Sequence, residues 1–321
     1  MRYVASFGGG LGDSFLRLYG HKLYNSLNQF KELGEVDAVA CCHSPVVKDV
    51  LESLDIFSNI FYYQWGPNYH PLDEYLSTRP DTVDLLATDV GKFSHMPLTS
   101  FHDNKMHSHH YNISDNETGV LSKIKDLKYI VVHPSGGTQS VDGLNRKQYT
   151  LLIENILNNM SNMHVVAVGS NHQRSNHDKY SEDSIELNHP RFIDLTNKTS
   201  GALCANVVKY ADAFIGTHSA WINMFWYFKR PTICILADYT AELCGWGDRI
   251  GYQLNNGCNW GFFASWCKTI TVGKDKAQIK DANIGEISNL ATGHLNGLMD
   301  SKMNKWIGWN TRYNDNIRIR K

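Results

Sequence analysis

Apolar residues fall into two alternating rhythms along this chain. Short runs with strand character occupy residues 2–7, 36–42, 60–63, 127–132, 165–168, 191–195, 213–216 and 232–236. Between them, apolar positions recur every three or four residues, as on a helix that buries one face. Phe15, Leu16, Tyr19, Leu23, Leu27 and Phe30 set this spacing after the first strand, and residues 46–54, 149–160 and 201–210 repeat it. Strand followed by helix, over and over, predicts parallel α/β structure. The rhythm weakens from residue 66 to about 122, where prolines, histidines and polar residues dominate, and it resumes with a second strand–helix series. Two Rossmann-like halves are therefore expected, joined near residues 115–126.

Glycine-rich turns punctuate the predicted strand ends. Gly8-Gly9-Gly10-Leu11-Gly12-Asp13 follows the first strand, His133-Pro134-Ser135-Gly136-Gly137 the first strand of the second series, and Gly169-Ser170 the next. In open α/β sheets ligands bind beyond such carboxyl ends, where helix N-termini present N–H groups to anions. The first turn is not the G-x-G-x-x-G dinucleotide fingerprint, and no G-x-x-x-x-G-K-[ST] loop occurs, so redox and ATPase readings lose support. A tight turn that ends in a carboxylate can set Asp13 beside a ligand as a general base, or Asp13 can cap the helix that follows.

Composition narrows the class further. The 321 residues carry 31 Lys+Arg against 32 Asp+Glu, which rules out a uniformly basic nucleic-acid coat. With 42% hydrophobic residues the chain can bury a sizeable core. Seven cysteines, an odd number without a C-x-x-C pair, argue against a disulfide framework or zinc knuckle. No charged leader and no long apolar run is visible, so the expectation is a cytoplasmic chain. His107, His109 and His110 are irregularly spaced and lack an acidic or cysteine partner at motif distance, so they read as a polar loop, and no metal is expected. The aromatic positions from Trp246 to Trp266 read as packing rather than as a base-stacking platform.

The combined motifs resemble glycosyltransferase family 9, typified by ADP-heptose:lipopolysaccharide heptosyltransferases. Gly10-Leu11-Gly12-Asp13 is similar to that family's glycine–aspartate turn, and Val131-Val132-His133-Pro134-Ser135-Gly136 to its HPG-type turn. Lys147-Gln148-Tyr149-Thr150 corresponds to its K-x-W-P, and Asp194-Leu195-Thr196-Asn197-Lys198-Thr199-Ser200 to its D-L-T-G-K-T-S. Phe214 to Ala220, continuing to Pro231, aligns with its G-N-D-S-G segment. Here His218 replaces the family's Asp, Ala220 its Gly and Asn223 its His, while Gln173 stands where a ribose-binding Glu is usual.

The resemblance implies an α/β fold of GT-B type, two Rossmann-like domains facing a central cleft. An acceptor-side domain would span 1–122, a nucleotide-sugar domain 123–295, and a segment 296–321 would cross back to the first domain. It implies an inverting, metal-independent glycosyltransferase without cofactor, with a nucleotide-sugar as co-substrate and a glycan or lipid-linked glycan as acceptor. Asp13 would be the catalytic base. Gly12, Ser135, Gly136, Arg146, Lys147, Ser170, Gln173, Thr196, His218, Ser219, Ala220 and Asn223 would bind the donor. Two alternatives stay open: transfer to hydroxymethylated bases of viral DNA, and a sugar-nucleotide-binding protein without catalysis.

Overall fold

The computed structural model describes residues 1–9, 11, 14, 18, 23–42, 46–64, 71–85, 111–134, 144–169, 185–217, 219–227, 230–236, 267–272, 281–300 and 317–319. Two sheets, parallel throughout, form its frame. The first has strand order β3-β2-β1-β4, from β1 (Arg2–Gly9), β2 (Glu35–Cys42), β3 (Asn59–Gln64) and β4 (Thr82–Asp84). Its described helices are α1 (Leu23–Leu33), α2 (Val46–Ser53) and α3 (Pro71–Thr78). The second sheet is built from β5 (Tyr129–His133), β6 (His164–Ala167), β7 (Phe192–Asp194), β8 (Ala213–Gly216), β9 (Thr232–Leu236), β10 (Cys267–Val272) and β11 (Ile317–Ile319). Its order is β11-β10-β9-β8-β5-β6-β7. Its helices are α5 (Arg146–Asn159), α6 (Gly201–Tyr210), α7 (Ala220–Tyr227) and α8 (Ile284–Asp300), and α4 (Asp115–Ile124) leads into it.

Strand alternation decides which helix covers which face. Ile130, Val132, Val165, Ala167, Ile215, Ile233 and Ile235 point to one side of the second sheet. There they bury against Leu152, Ile153 and Ile156 of α5 and Ile287, Ala291 and Leu295 of α8. The intervening Val131, Val166, Phe214 and Cys234 point to the other side and join a cluster that includes Ala5, Phe7, Ala38, Val47, Leu51, Leu203 and Phe225. That cluster runs from one sheet to the other, so the halves share a continuous hydrophobic core. On the far face of the first sheet Val4 and Val39 pack against Tyr75 of α3, whose hydroxyl donates to the buried Asp37 carboxylate at 2.5 Å.

The observed elements follow the periodicity closely from 35 to 64 and from 129 to 236. Additional elements are α3, β4 and α4 in the stretch where the rhythm is weak, α7 between β8 and β9, and β10, α8 and β11 beyond residue 236. Helix α4 runs through residue 122, and the three described residues of the tail, 317–319, pair with β10 of the second sheet. Among the described residues no helix is long and apolar enough to cross a membrane.

Candidate functional site

Strand order alone marks one place in each sheet. In the first, β1 has β2 on one side and β4 on the other; in the second, β5 neighbours β6 and β8. In open α/β sheets connections leave in opposite directions at such switch points, where ligands characteristically bind at the carboxyl ends. Strand β1, at the first switch point, ends at Gly9, four residues before Asp13 in the sequence. At the second, His133 ends β5 in register with Gly216, which ends β8. Of the sequence-predicted donor residues that are described, Arg146 and Lys147 follow β5, Thr196 follows β7, and Ser219 and Ala220 follow β8.

Three loops are tied together at that edge. Gly169, just past β6, has φ +141°, a conformation that favours glycine, and a Cβ there would stand 3.3 Å from the His133 ring. The Gly169 carbonyl accepts the Asn197 N–H at 2.9 Å, and Asn197 itself is left-handed at φ 59°. The Asp194 carboxylate accepts the Thr196 N–H at 2.9 Å, which turns the chain sharply after β7. Burial pushes the His133 imidazole down to about 4, so it is neutral at pH 7.

Several polar atoms at this edge are buried without a hydrogen-bond partner: Thr196 Oγ1, Ser219 Oγ and His133 Nδ1. Their residues are 7%, 6% and 8% exposed. An unpaired buried polar group costs about 1–3 kcal/mol, which a native protein tolerates where something else completes the bond. The Tyr149 hydroxyl, also buried, approaches the backbone of Thr217 without closing a hydrogen bond of normal geometry.

Helix α5 follows β5 on the same carboxyl side. Asn145 caps it by accepting the Gln148 N–H at 3.0 Å, and Gln148 returns the bond to the Asn145 N–H at 2.9 Å. Its first turn contains no acid; it carries half-buried Arg146 and exposed Lys147 instead. Two cations at the positive end of a helix dipole are electrostatically unfavourable on their own, by about 0.3–1 kcal/mol each, and an anion placed there reverses the sign. The opposite end is capped more conventionally, with Arg191 donating to the carbonyls of Leu157, Met160 and Met163.

No protein-family profile and no curated protein sequence matches the chain. Solved structures do. E. coli ADP-heptose LPS heptosyltransferase II superposes with a TM-score of 0.58 over 93% of this chain and 98% of that one, at 12% identity. A family 9 glycosyltransferase from Veillonella parvula gives 0.46 at 9% identity, over 73% and 80% of the two chains. S. aureus MnaA in its UDP complex gives 0.48 at 12% identity, over 95% and 92%. The fold is GT-B-like.

Of the sequence-predicted site residues, Arg146, Lys147, Thr196, Ser219 and Ala220 fall on the second sheet's carboxyl side. Asn223 lies in α7, and its side chain is outside the described residues. Gly12, Asp13, Ser135, Gly136, Ser170, Gln173 and His218 also lie outside them. Sequence reasoning passed over His133 and Tyr149 as site residues, although both sit in quoted motifs. The missing signal is three-dimensional: only the sheet register shows that His133 closes the strand beside Gly216. It also missed Asp49 and Glu117, whose contacts are described below. Among the described residues no group of three or more His, Cys, Asp or Glu could hold a metal ion.

Proposed function

We propose that the protein is an inverting, metal-independent glycosyltransferase that moves a sugar from a nucleotide-sugar to a hydroxyl of a glycan or lipid-linked glycan. The observation that carries this reading is the carboxyl side of the second sheet, where the unpaired Thr196 and Ser219 hydroxyls lie on the same side as a helix start bearing Arg146 and Lys147. Hydroxyls that lack a protein partner suit a sugar or ribose, and adjacent cations suit a diphosphate. Support of fold comes from the heptosyltransferase II likeness, a protein whose name couples this architecture to ADP-heptose.

In this reading the acceptor hydroxyl attacks the anomeric carbon while Asp13 takes its proton, and the bond to the nucleoside diphosphate breaks. Arg146 and Lys147 stabilise the charge that develops on the leaving group, and the N–H groups near Ser219 and Ala220 add to that stabilisation. With two protein cations on the leaving diphosphate, no divalent ion is required. Ser135, Gly136, Ser170, Gln173, His218 and Asn223 complete the donor site, with Gly12 allowing close approach of the first turn.

The test is a thermal-shift panel of nucleotide-sugars and nucleoside diphosphates, followed by turnover of the stabilising donor with and without EDTA. Stabilisation by one donor class, EDTA-insensitive transfer, and a loss of about 10²–10⁴ in rate for Asp13→Asn at unchanged donor affinity are expected. Full transfer by Asp13→Asn removes the base assignment, and EDTA-sensitive transfer removes metal independence. Silence across the whole panel removes the nucleotide-sugar reading.

A further inference from the structure

Helix α6 starts immediately after the Thr196 loop, and every N–H of its first turn has a protein acceptor. Ser200 caps it in the ordinary way, its hydroxyl accepting the Leu203 N–H at 3.0 Å. The other three bonds come from far along the chain. Asp49 of α2 accepts the N–H groups of Gly201 and, at 3.2 Å, Ala202 through one oxygen. Glu117 of α4 accepts the Ser200 N–H at 3.0 Å through Oε1. Its second oxygen closes the capping box of its own helix with the Ser114 N–H at 3.3 Å and hydroxyl at 3.1 Å.

Water serves the same N–H groups in an ordinary exposed helix, so two imported carboxylates exceed what capping needs. Their delivery also shapes the neighbourhood. A Cβ on Gly201 would stand 2.7 Å from Val46 Cγ1 and 2.8 Å from Asp49 Oδ2, so only glycine lets α2 come this close. Around the junction the Ser53 carbonyl at the end of α2 accepts the Asn112 N–H at 2.9 Å. Asn206 of α6 donates to the Tyr111 carbonyl at 2.7 Å. Three elements, α2, α4 and α6, are thus knotted at one point, and two negative charges there leave no place for a phosphate.

We propose that Asp49 and Glu117 are positioning residues: by clasping the start of α6 they fix the loop 194–199, with Thr196, relative to the first half of the molecule. The proposal rests on the reading of that loop as part of the donor site. A mechanical link of this kind joins the half that carries Asp13 to the half that carries the donor crevice, so distance between base and donor is set partly at the clasp.

Hydrogen–deuterium exchange and calorimetric titration with ADP and UDP test this on the full chain, comparing wild type with Asp49→Asn, Glu117→Gln and the double variant. In the double variant, amides 200–203 should exchange about fivefold faster or more. The acceleration should spread through 194–199, and the diphosphate that binds wild type should lose about fivefold in affinity, with strands β5 and β8 still protected. Acceleration confined to 200–203 with unchanged affinity makes the carboxylates helix caps only and overturns the proposal, as does unchanged exchange. If the double variant fails to fold, the single variants, each keeping an amide oxygen as acceptor, decide by the same criteria. If neither diphosphate binds wild type, the donor reading fails, and exchange at 194–199 alone decides the clasp.

Discussion

Helices α5 and α6 both begin on the carboxyl side of the second sheet, yet their first turns are opposite in chemistry. The start of α6, at the β7 edge, is filled by Asp49 and Glu117 from elsewhere in the chain. The start of α5, at the β5/β8 switch point, has no acid in its first turn and carries Arg146 and Lys147. A helix dipole alone would favour acids at both of these N-termini and cations at neither. The α6 end is therefore complete within the protein and serves as a joint. The α5 start carries two cations and no acid, and on the same carboxyl side of the sheet Thr196, Ser219 and His133 keep unpaired polar atoms. Under the proposed function, location in the sheet separates the roles: the switch point takes the ligand, the edge takes the partner helix.

Acid should separate the two ends most strongly. His133 is buried with a pKa pushed down to about 4, so between roughly pH 6.5 and 4 the unfolded chain binds a proton that the folded one does not. Its contribution is intact above that window and lost as pH falls through it, by up to about 3 kcal/mol. Urea titrations at pH 7, 5.5 and 4 should show this loss for wild type and a much shallower one for His133→Asn. A wild-type curve flat from pH 7 to 4 would mean that the imidazole is not held neutral at the ligand end.

Next in size is the joint itself. Gly201→Val forces atoms into the space of Val46 and Asp49, and overpacking of this kind costs about 1–3 kcal/mol. The melting temperature should fall accordingly. Gly293→Ala, on the exposed face of α8 with nothing within 4 Å of the added Cβ, should raise it slightly. Equal losses for both glycines would erase the special status of the α6 start.

Lys147→Ala sharpens the comparison from the other side. Losing a charge-assisted bond to a diphosphate should weaken binding of the donor's nucleoside diphosphate about tenfold. Removing a cation from a helix N-terminus should leave stability unchanged or raise it by about 0.3–1 kcal/mol. Calorimetry and thermal melts read the two effects separately. A variant that loses stability but keeps affinity would place Lys147 in the framework rather than the site.

How far the sequence alone reaches differs between these regions. Strand and helix periodicity located β1–β3, α2, β5–β9, α5 and α6 because each buries one face or both in a sheet. Helix α4 carried a readable signal, Ser114 followed three residues later by Glu117, but weak apolar spacing hid it. Helix α8 carried Ile284, Ile287, Ala291 and Leu295 at helical spacing and was equally legible. Thr196 and Lys147 were singled out by local motif. Asp49 and Glu117 were not, since the atoms they hold lie 152 and 83 residues away, and no local pattern encodes such a pairing.

The smallest expected effect concerns the joint's own charge. Burial raises the Glu117 carboxyl, but hydrogen bonds from Ser200 and Ser114 outweigh it and leave the pKa below the usual carboxylate value. A carboxylate depressed in the folded state contributes stability above its unfolded pKa, and that contribution fades as pH falls through the folded value. It should thus be lost below about pH 4.5, under the His133 window, and because the group is half exposed the change should be small. Glu117→Gln should flatten the stability curve only in this lower range, while His133→Asn flattens only the upper one. Two acid steps, each removed by its own substitution, would show that ligand end and joint are energetically separate. A single step abolished by either would show that they are one unit.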